Sequence, residues 1–300
     1  MIKRTLYFGN DAYLHTKIEQ LVIEFADKEK PPVTVPIEDI GIVILDANRL
    51  TISQHLISKL LHNNVALITC DEKHLPQGLM LNLVGNTLQS EKFQAQISAS
   101  EPLKKNLWQQ TIKSKIQNQA NLLKELGFDT ENMKYWEQSV KSGDTDNYEA
   151  RAAAFYWKSV FVDYIQDFKR GRFEDAPNNL LNYGYAILRA IVARNLVASG
   201  LLPTLGIHHH NKYNAYCLAD DIMEPYRPYV DGIVLQIIRN QLNTIELTTE
   251  IKKYLLEIPV IDVMIDGQKS PLMIAVQRTT ASLSACFEGK SKKLLYPVYE

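Results

Sequence analysis

Cysteine is scarce: Cys70, Cys217 and Cys286 are the only three in 300 residues, widely spaced and without a Cys-x-x-Cys pair. That excludes a disulfide framework and a thiolate zinc knuckle, and it fits a reducing cytoplasm. No run of about eighteen apolar residues is present, so no membrane partner is expected. The start, MIKRTLYFGNDAYLHTK, has two basic residues but neither a continuous apolar core nor a small-residue cleavage site, the pattern of a non-secreted, soluble protein. An excess of positive charge is missing too, with 33 Lys+Arg against 34 Asp+Glu and a net charge of −1. Residues 1–85 carry 8 basic and 10 acidic side chains and the remainder 25 and 24, so neither part is a polycationic arm. A nucleic-acid partner would have to be met by local patches or by assembly. Internal repeats and low-complexity tracts are also absent.

What is present is enough apolar residue, 46%, for sizeable cores, arranged with two different periods. Up to about residue 87 the stretches TLYFG, YLHTKIEQLVIEF, PVTVPI, IGIVILDA, VALITCD and LPQGLMLNL read as strands, several alternating with period 2. Leu21, Ile23 and Phe25 would share one sheet face, and residues 51–64, TISQHLISKLLHNN, would form a single helix. Beyond residue 88 the period becomes 3.6, with Gly127, Gly143 and Gly200 just past periodic runs and Pro177 in the first turn of a helix behind Asp175. VIDVMIDGQKSP suggests a small hairpin before a last helix at about 271–288. The reading is an α+β chain, with a strand-rich, β-sandwich-like domain at 1–87 and a larger all-α domain at 88–300.

The segment GIHHHNKYNAYCLADDIMEPYRP, residues 206–228, gathers three of seven histidines and three carboxylates. If residues 213–224 are helical, Asp220 and Glu224 lie at i, i+4 and Asp221 and Glu224 at i, i+3, so the carboxylates would face one way and repel unless a cation balances them. A solvated face or an enriched first turn would look the same. Imidazole with carboxylates and no thiolate suits Mn²⁺ or Mg²⁺ better than zinc.

The run from Gly206 to Pro228, with YEARAAAFYW at 148–157 and NNLLNYGYAILRA at 178–190, resembles in order and spacing the CRISPR-associated spacer-acquisition integrases. The likeness covers essentially the full chain and is nearest to versions found with single-protein effector (type II) systems. It implies a metal site of Glu149, His209 and Glu224 that is also the catalytic set, with Asp221 as a further acidic position; Asp220, His208 and His210 have no assigned role. By residue type alone, Glu149 reads as an ordinary carboxylate at a helix start. Asn178 and Asn182 read as satisfied buried amides or contacts to DNA, and Arg227 as a phosphate contact or a carboxylate's partner.

The resemblance implies an endonuclease and integrase in which a 3′-hydroxyl of a short DNA fragment attacks a phosphodiester of a repeat array, with Mg²⁺ or Mn²⁺ as cofactor. It also implies double-stranded DNA as partner, a homodimer through the strand-rich domain, and a small ferredoxin-like CRISPR adaptation subunit bridging two dimers. Basic candidates for phosphate are scattered: Lys104 and Lys105, Lys113 and Lys115, Lys169 with Arg170 and Arg172, and Lys290, Lys292 and Lys293. A metal-dependent phosphohydrolase with a small substrate, or a non-enzymatic DNA-binding scaffold, are the competing readings.

Overall fold

The structure, a computed structural model, describes residues 3–171 and 173–300 and divides into two compact units, Met1–Thr87 and Leu88–Glu300. The first unit runs β1 (Arg4–Phe8), β2 (Ala12–Lys17), β3 (Gln20–Phe25), β4 (Val33–Pro36), β5 (Ile40–Leu45), β6 (Leu50–Ile52), α1 (Gln54–His62), β7 (Ala66–Cys70) and β8 (Pro76–Met80). Its two sheets, ordered β1-β5-β7-β8 and β4-β3-β2-β6, share a core that includes Leu14, Leu21, Ile40 and Val43 with Leu56 and Leu60 of α1. β5 reads as an unbroken apolar run because it is a central strand with a parallel neighbour on each side.

Two details differ from the sequence reading. YLHTKIEQLVIEF is two strands, because the chain reverses at Ile18 and Glu19, whose φ values of 49° and 54° are those of a two-residue hairpin turn. The helix expected over 51–64 starts at Gln54, since Leu50–Ile52 pair with β2, and Ser53 caps α1 by accepting the Leu56 N–H at 3.3 Å. Leu21 and Ile23 do pack into the core, whereas Phe25 at the end of β3 is 36% exposed.

The second unit contains α2 (Gln89–Ile97), α3 (Glu101–Glu125), α4 (Glu131–Ser139), α5 (Tyr148–Ser159), α6 (Asn178–Ala198), α7 (Cys217–Met223), α8 (Arg227–Arg239) and α9 (Thr249–Leu255), then β9 (Asp262–Ile265), β10 (Gln268–Pro271), α10 (Leu272–Phe287) and β11 (Pro297–Val298). It is mostly helical but not all-α. The expected hairpin turns at Asp266 and Gly267, both with positive φ, and β11, too short to leave a periodic signal, adds a third strand against β9. α6 is the central helix, with fifteen of its twenty-one residues buried. It begins one residue later than expected: Pro177 lies outside it with φ −92° and ψ 22°. Among the described residues no helix is long and apolar enough to cross a membrane.

α6 approaches α8 closely at Gly184, where an added Cβ would lie 2.5 Å from Val230 Cγ1 and 3.3 Å from Ile258 Cδ1. β-branched Val230 is stiff and cannot swing aside. Gly184→Ala is therefore expected to lower unfolding free energy by about 1–3 kcal/mol in denaturant titration, despite the better helix propensity of alanine. Unchanged stability would show that the α6–α8 contact has slack.

Candidate active site

The site is assembled where α3, the start of α5 and the junction of α7 with α8 meet. The chain from Gly206 to His209 folds back tightly over α7. A Cβ on Gly206 would collide with the His209 carbonyl and lie 2.8 Å from Asp221 Oδ2, so only glycine permits this turn. The turn points three backbone N–H groups at one buried carboxylate. Ile207 and His208 donate to Asp221 Oδ2 at 2.8 and 2.9 Å, and His209 donates to Oδ1 at 3.3 Å.

The same carboxylate takes the His209 ring. Nδ1 lies 2.5 Å from Asp221 Oδ1, which fixes the proton on Nδ1 and leaves the Nε2 lone pair open. This hydrogen bond raises the imidazole pKa above its ordinary value, against the opposing effect of burial; the charges of Glu224 and Glu149 add to the rise. His208 is differently engaged. Its ring stacks on buried Trp108 at 4.1 Å between centroids and nearly parallel, while the Trp108 and His209 rings meet nearly perpendicular at 5.6 Å. Burial lowers the pKa of His208, with His209 the next largest cause.

Glu149 lies in the first turn of α5. Asp144 sets that turn by accepting the N–H groups of Tyr148 and Glu149, each at 2.9 Å. Glu224 is buried in the single-turn 3₁₀ helix Glu224–Tyr226 between α7 and α8. Between the two carboxylates stands the ammonium of Lys115 from α3, 2.6 Å from Glu149 Oε1 and 2.6 Å from Glu224 Oε2. Arg227 Nη2 holds the other oxygen of Glu224 at 2.9 Å. Glu224 Oε2, though close to Lys115, is buried without a well-aligned hydrogen bond. Burial pushes the Glu224 carboxyl up, but Arg227 and Lys115 outweigh it and hold the pKa below the usual value. Burial likewise pulls Lys115 down, and Glu224 with Glu149 more than offset it.

These donors suit a hard divalent ion: two carboxylate oxygens on either side of one cationic atom, and an imidazole whose second nitrogen is anchored. Among the described residues, no three His, Cys, Asp or Glu side chains lie close enough together to hold an ion. The Lys115 ammonium lies between the two carboxylates.

α7 starts only at Cys217, later than the expected 213, but the backbone stays helical through Glu224, at φ −51° and ψ −47°, so the expected i, i+3 and i, i+4 spacings hold while the three carboxylates take different partners. Asp220 is bound by Arg189, at 2.6 and 3.1 Å, and by Asn214 at 2.7 Å, while the other two take the partners described above. Asn178 and Asn182 both accept from Arg170, at 2.8 and 2.9 Å, so their shared helix face satisfies an internal guanidinium. Arg170 is thereby removed from the basic candidates; Arg172 lies outside the described residues. Lys115, also counted among those candidates, is buried rather than a surface contact. Arg227 pairs with a carboxylate and lies over the Tyr185 ring at 4.8 Å. Beside His209 opens a cavity of about 380 Å³ lined in part by Lys104, His210, Asn211 and Lys212.

A family model described as CRISPR associated protein Cas1 matches residues 6–258. The chain belongs to the Cas1 family. It is 36% identical to the CRISPR-associated endonuclease Cas1 of Neisseria meningitidis serogroup C (strain 8013), over 98% of this chain and 95% of that one. It is 26% identical to the CRISPR-associated endonuclease Cas1 1 of Francisella tularensis subsp. novicida (strain U112), with 93% of each chain covered. Among solved structures, a casposase bound to integration product shares the fold with a TM-score of 0.77 and 21% identity, covering 98% of this chain and 92% of that one. A CAS1 protein from Thermotoga maritima gives the same score at 14% identity, covering 96% and 98%.

In this Cas1-family chain the sequence motifs led to Glu149, His209 and Glu224; Lys115 entered only as one of the scattered phosphate candidates, not as a partner of the two glutamates, and Trp108 did not enter at all. A signal for Lys115 did exist. It falls on the buried stripe of α3, seven residues after Trp108 and three after Ile112, where a lysine needs a reason to be.

Asp221 fixes both the loop and the tautomer of His209. Asp221→Asn is expected to weaken Mn²⁺ binding by about 10–100-fold. Because His209 must be neutral to ligate and its pKa is raised, wild-type binding should strengthen as pH rises through a midpoint above 6.5. In Asp221→Asn that midpoint should move down. Calorimetry across pH 5.5 to 8.5, roughly spanning the imidazole range, reads both effects.

Proposed function

We propose that this chain is a metal-dependent DNA integrase and endonuclease of spacer acquisition, inserting short DNA fragments into a CRISPR repeat array. The observation that carries the reading is the pair Glu149 and Glu224 sharing a single cation, with both charges felt by a histidine clamped by a buried aspartate. Family membership supports it, as do the N. meningitidis relative's description as an endonuclease and the casposase neighbour's complex with an integration product.

Glu149, His209 through Nε2, and Glu224 would hold Mg²⁺ or Mn²⁺. Such an ion, when bound, polarises a phosphodiester and lowers the pKa of the attacking hydroxyl. The chain's own residues then have distinct tasks. Asp221 keeps the His209 proton on Nδ1, so the imidazole presents a lone pair in one orientation. Arg227 holds Glu224 from behind and prevents its rotation. The 3′-hydroxyl of the fragment gives up its proton to solvent as its oxygen bonds to phosphorus, the P–O3′ bond of the repeat strand breaks, and the released O3′ takes a proton from solvent. With water in place of the 3′-hydroxyl the same site hydrolyses DNA.

Near-neutral charge supports assembly, since DNA affinity rests on phosphate contacts that one chain scarcely supplies. A homodimer through the strand-rich domain, joined by a small ferredoxin-like adaptation subunit, would gather the exposed lysines into one surface. A solved Cas6-RT-Cas1–Cas2 complex contains a chain of this fold.

The test incubates the chain and its small partner with short duplexes carrying 3′-hydroxyls, a repeat-containing plasmid and Mn²⁺. Joined products are expected, with Glu149→Ala, His209→Ala and Glu224→Ala each lowering joining by about a hundredfold or more. Joining at the wild-type rate in all three would remove the proposed site. Turnover of a nucleotide without any joining of DNA would favour a small-substrate phosphohydrolase.

A further inference from the structure

We propose that Lys115 is a further substrate-binding residue: its ammonium keeps the place between Glu149 and Glu224 in the metal-free protein and, once released from those oxygens, grips the phosphodiester under attack. This rests on the metal-dependent reading above.

The argument starts from charge. Two carboxylates, Glu149 and Glu224, face two cations, Lys115 and Arg227, so the resting cluster is balanced. Lys115 is buried, with only 11% of its side chain exposed, and its partners are the two oxygens that the metal site needs. Where those oxygens turn to a divalent ion, the ammonium loses both. A buried cation without a partner is costly, so Lys115 then requires another anion close by. A phosphodiester is the anion that this chemistry delivers, with one negative charge at rest and more as the pentavalent state forms. Contact with Lys115 would therefore strengthen along the reaction.

Geometry allows the change of partner. The stem of Lys115 rises from a 25-residue helix whose buried face is fixed by Trp108, Ile112 and Ile116, whereas four flexible carbons carry the ammonium. Its contact with Glu224 Oε2 is close but poorly aligned as a hydrogen bond, while Arg227 keeps hold of Oε1. Glu224 can thus lose Lys115 without losing its anchor. Lys115 makes and breaks no covalent bond; it contributes a movable positive charge.

A purely structural Lys115, a strut between α3 and the two acidic residues, would have the opposite consequence. Removing a strut loosens the carboxylates and weakens metal binding. Removing a competitor strengthens it.

The experiment measures Mn²⁺ binding by calorimetry without DNA, and joining kinetics at saturating Mn²⁺, for wild type, Lys115→Met, Lys115→Gln and Lys115→Arg, with thermal melts confirming the fold. Lys115→Met is expected to bind Mn²⁺ roughly tenfold more tightly and yet to lose about a hundredfold in kcat, with a smaller change in KM. Lys115→Arg should recover part of kcat. If Met does not fold, Gln carries the same two expectations. Unchanged or weaker Mn²⁺ binding without the ammonium would overturn the proposal, and so would a retained kcat. Equal Mn²⁺ binding by wild type and Glu224→Ala would instead overturn the metal-dependent reading itself, whatever Lys115 does.

Discussion

A charge taken out of water must find its counter-charge within a few ångströms, and in this chain that demand falls hardest on Glu224. It is buried at a helix junction, and its two oxygens face Lys115 and Arg227. Lys115 in turn needs a second carboxylate, which Glu149 supplies. One balanced cluster therefore connects α3, the start of α5 and the α7–α8 junction, segments that together span more than a hundred residues of the chain, from Lys115 to Glu224. The helical packing around it places the stems; the charges decide where the side-chain ends meet.

The histidine half of the site follows a different logic. Asp221 is fully buried and matched by three backbone N–H groups and one imidazole rather than by a formal cation. Gly206 makes that arrangement sterically possible, and the Trp108 ring takes up His208, so the His-His-His run is sorted into three environments. Only His209 has one ring nitrogen fixed by the buried aspartate; His208 lies flat on an indole, and His210 borders a cavity. Orientation without a strong ion pair leaves the imidazole able to ligate.

Much of this was legible from residues that keep company in the chain. The change of period near residue 88 separates a strand-rich part from a helical one, and the spacing from Gly206 to His209 and on to Glu224 marks the crowded segment. What stayed hidden depended on contacts between distant residues. Ile18 and Glu19 form a tight turn with neither Gly nor Asn to announce it. β11 is two residues long and exists only because β9 offers an edge. Asp220 and Asp221 look alike in sequence, yet Arg189 claims one and the 207–209 backbone the other. Lys115 resembles any lysine of a charged helix until its position on the buried stripe is set against the acids opposite.

Whether Glu149, His209 and Glu224 close on one ion decides what this site can do. Crystals of the chain soaked in Mn²⁺, with anomalous diffraction recorded at the manganese absorption edge, test this directly. A single strong peak is expected in coordination contact with a carboxylate oxygen of Glu149, a carboxylate oxygen of Glu224 and Nε2 of His209, with the Lys115 ammonium moved from between the acids. A peak bound elsewhere, or none at this site while Lys115 remains in place at saturating Mn²⁺, would contradict it.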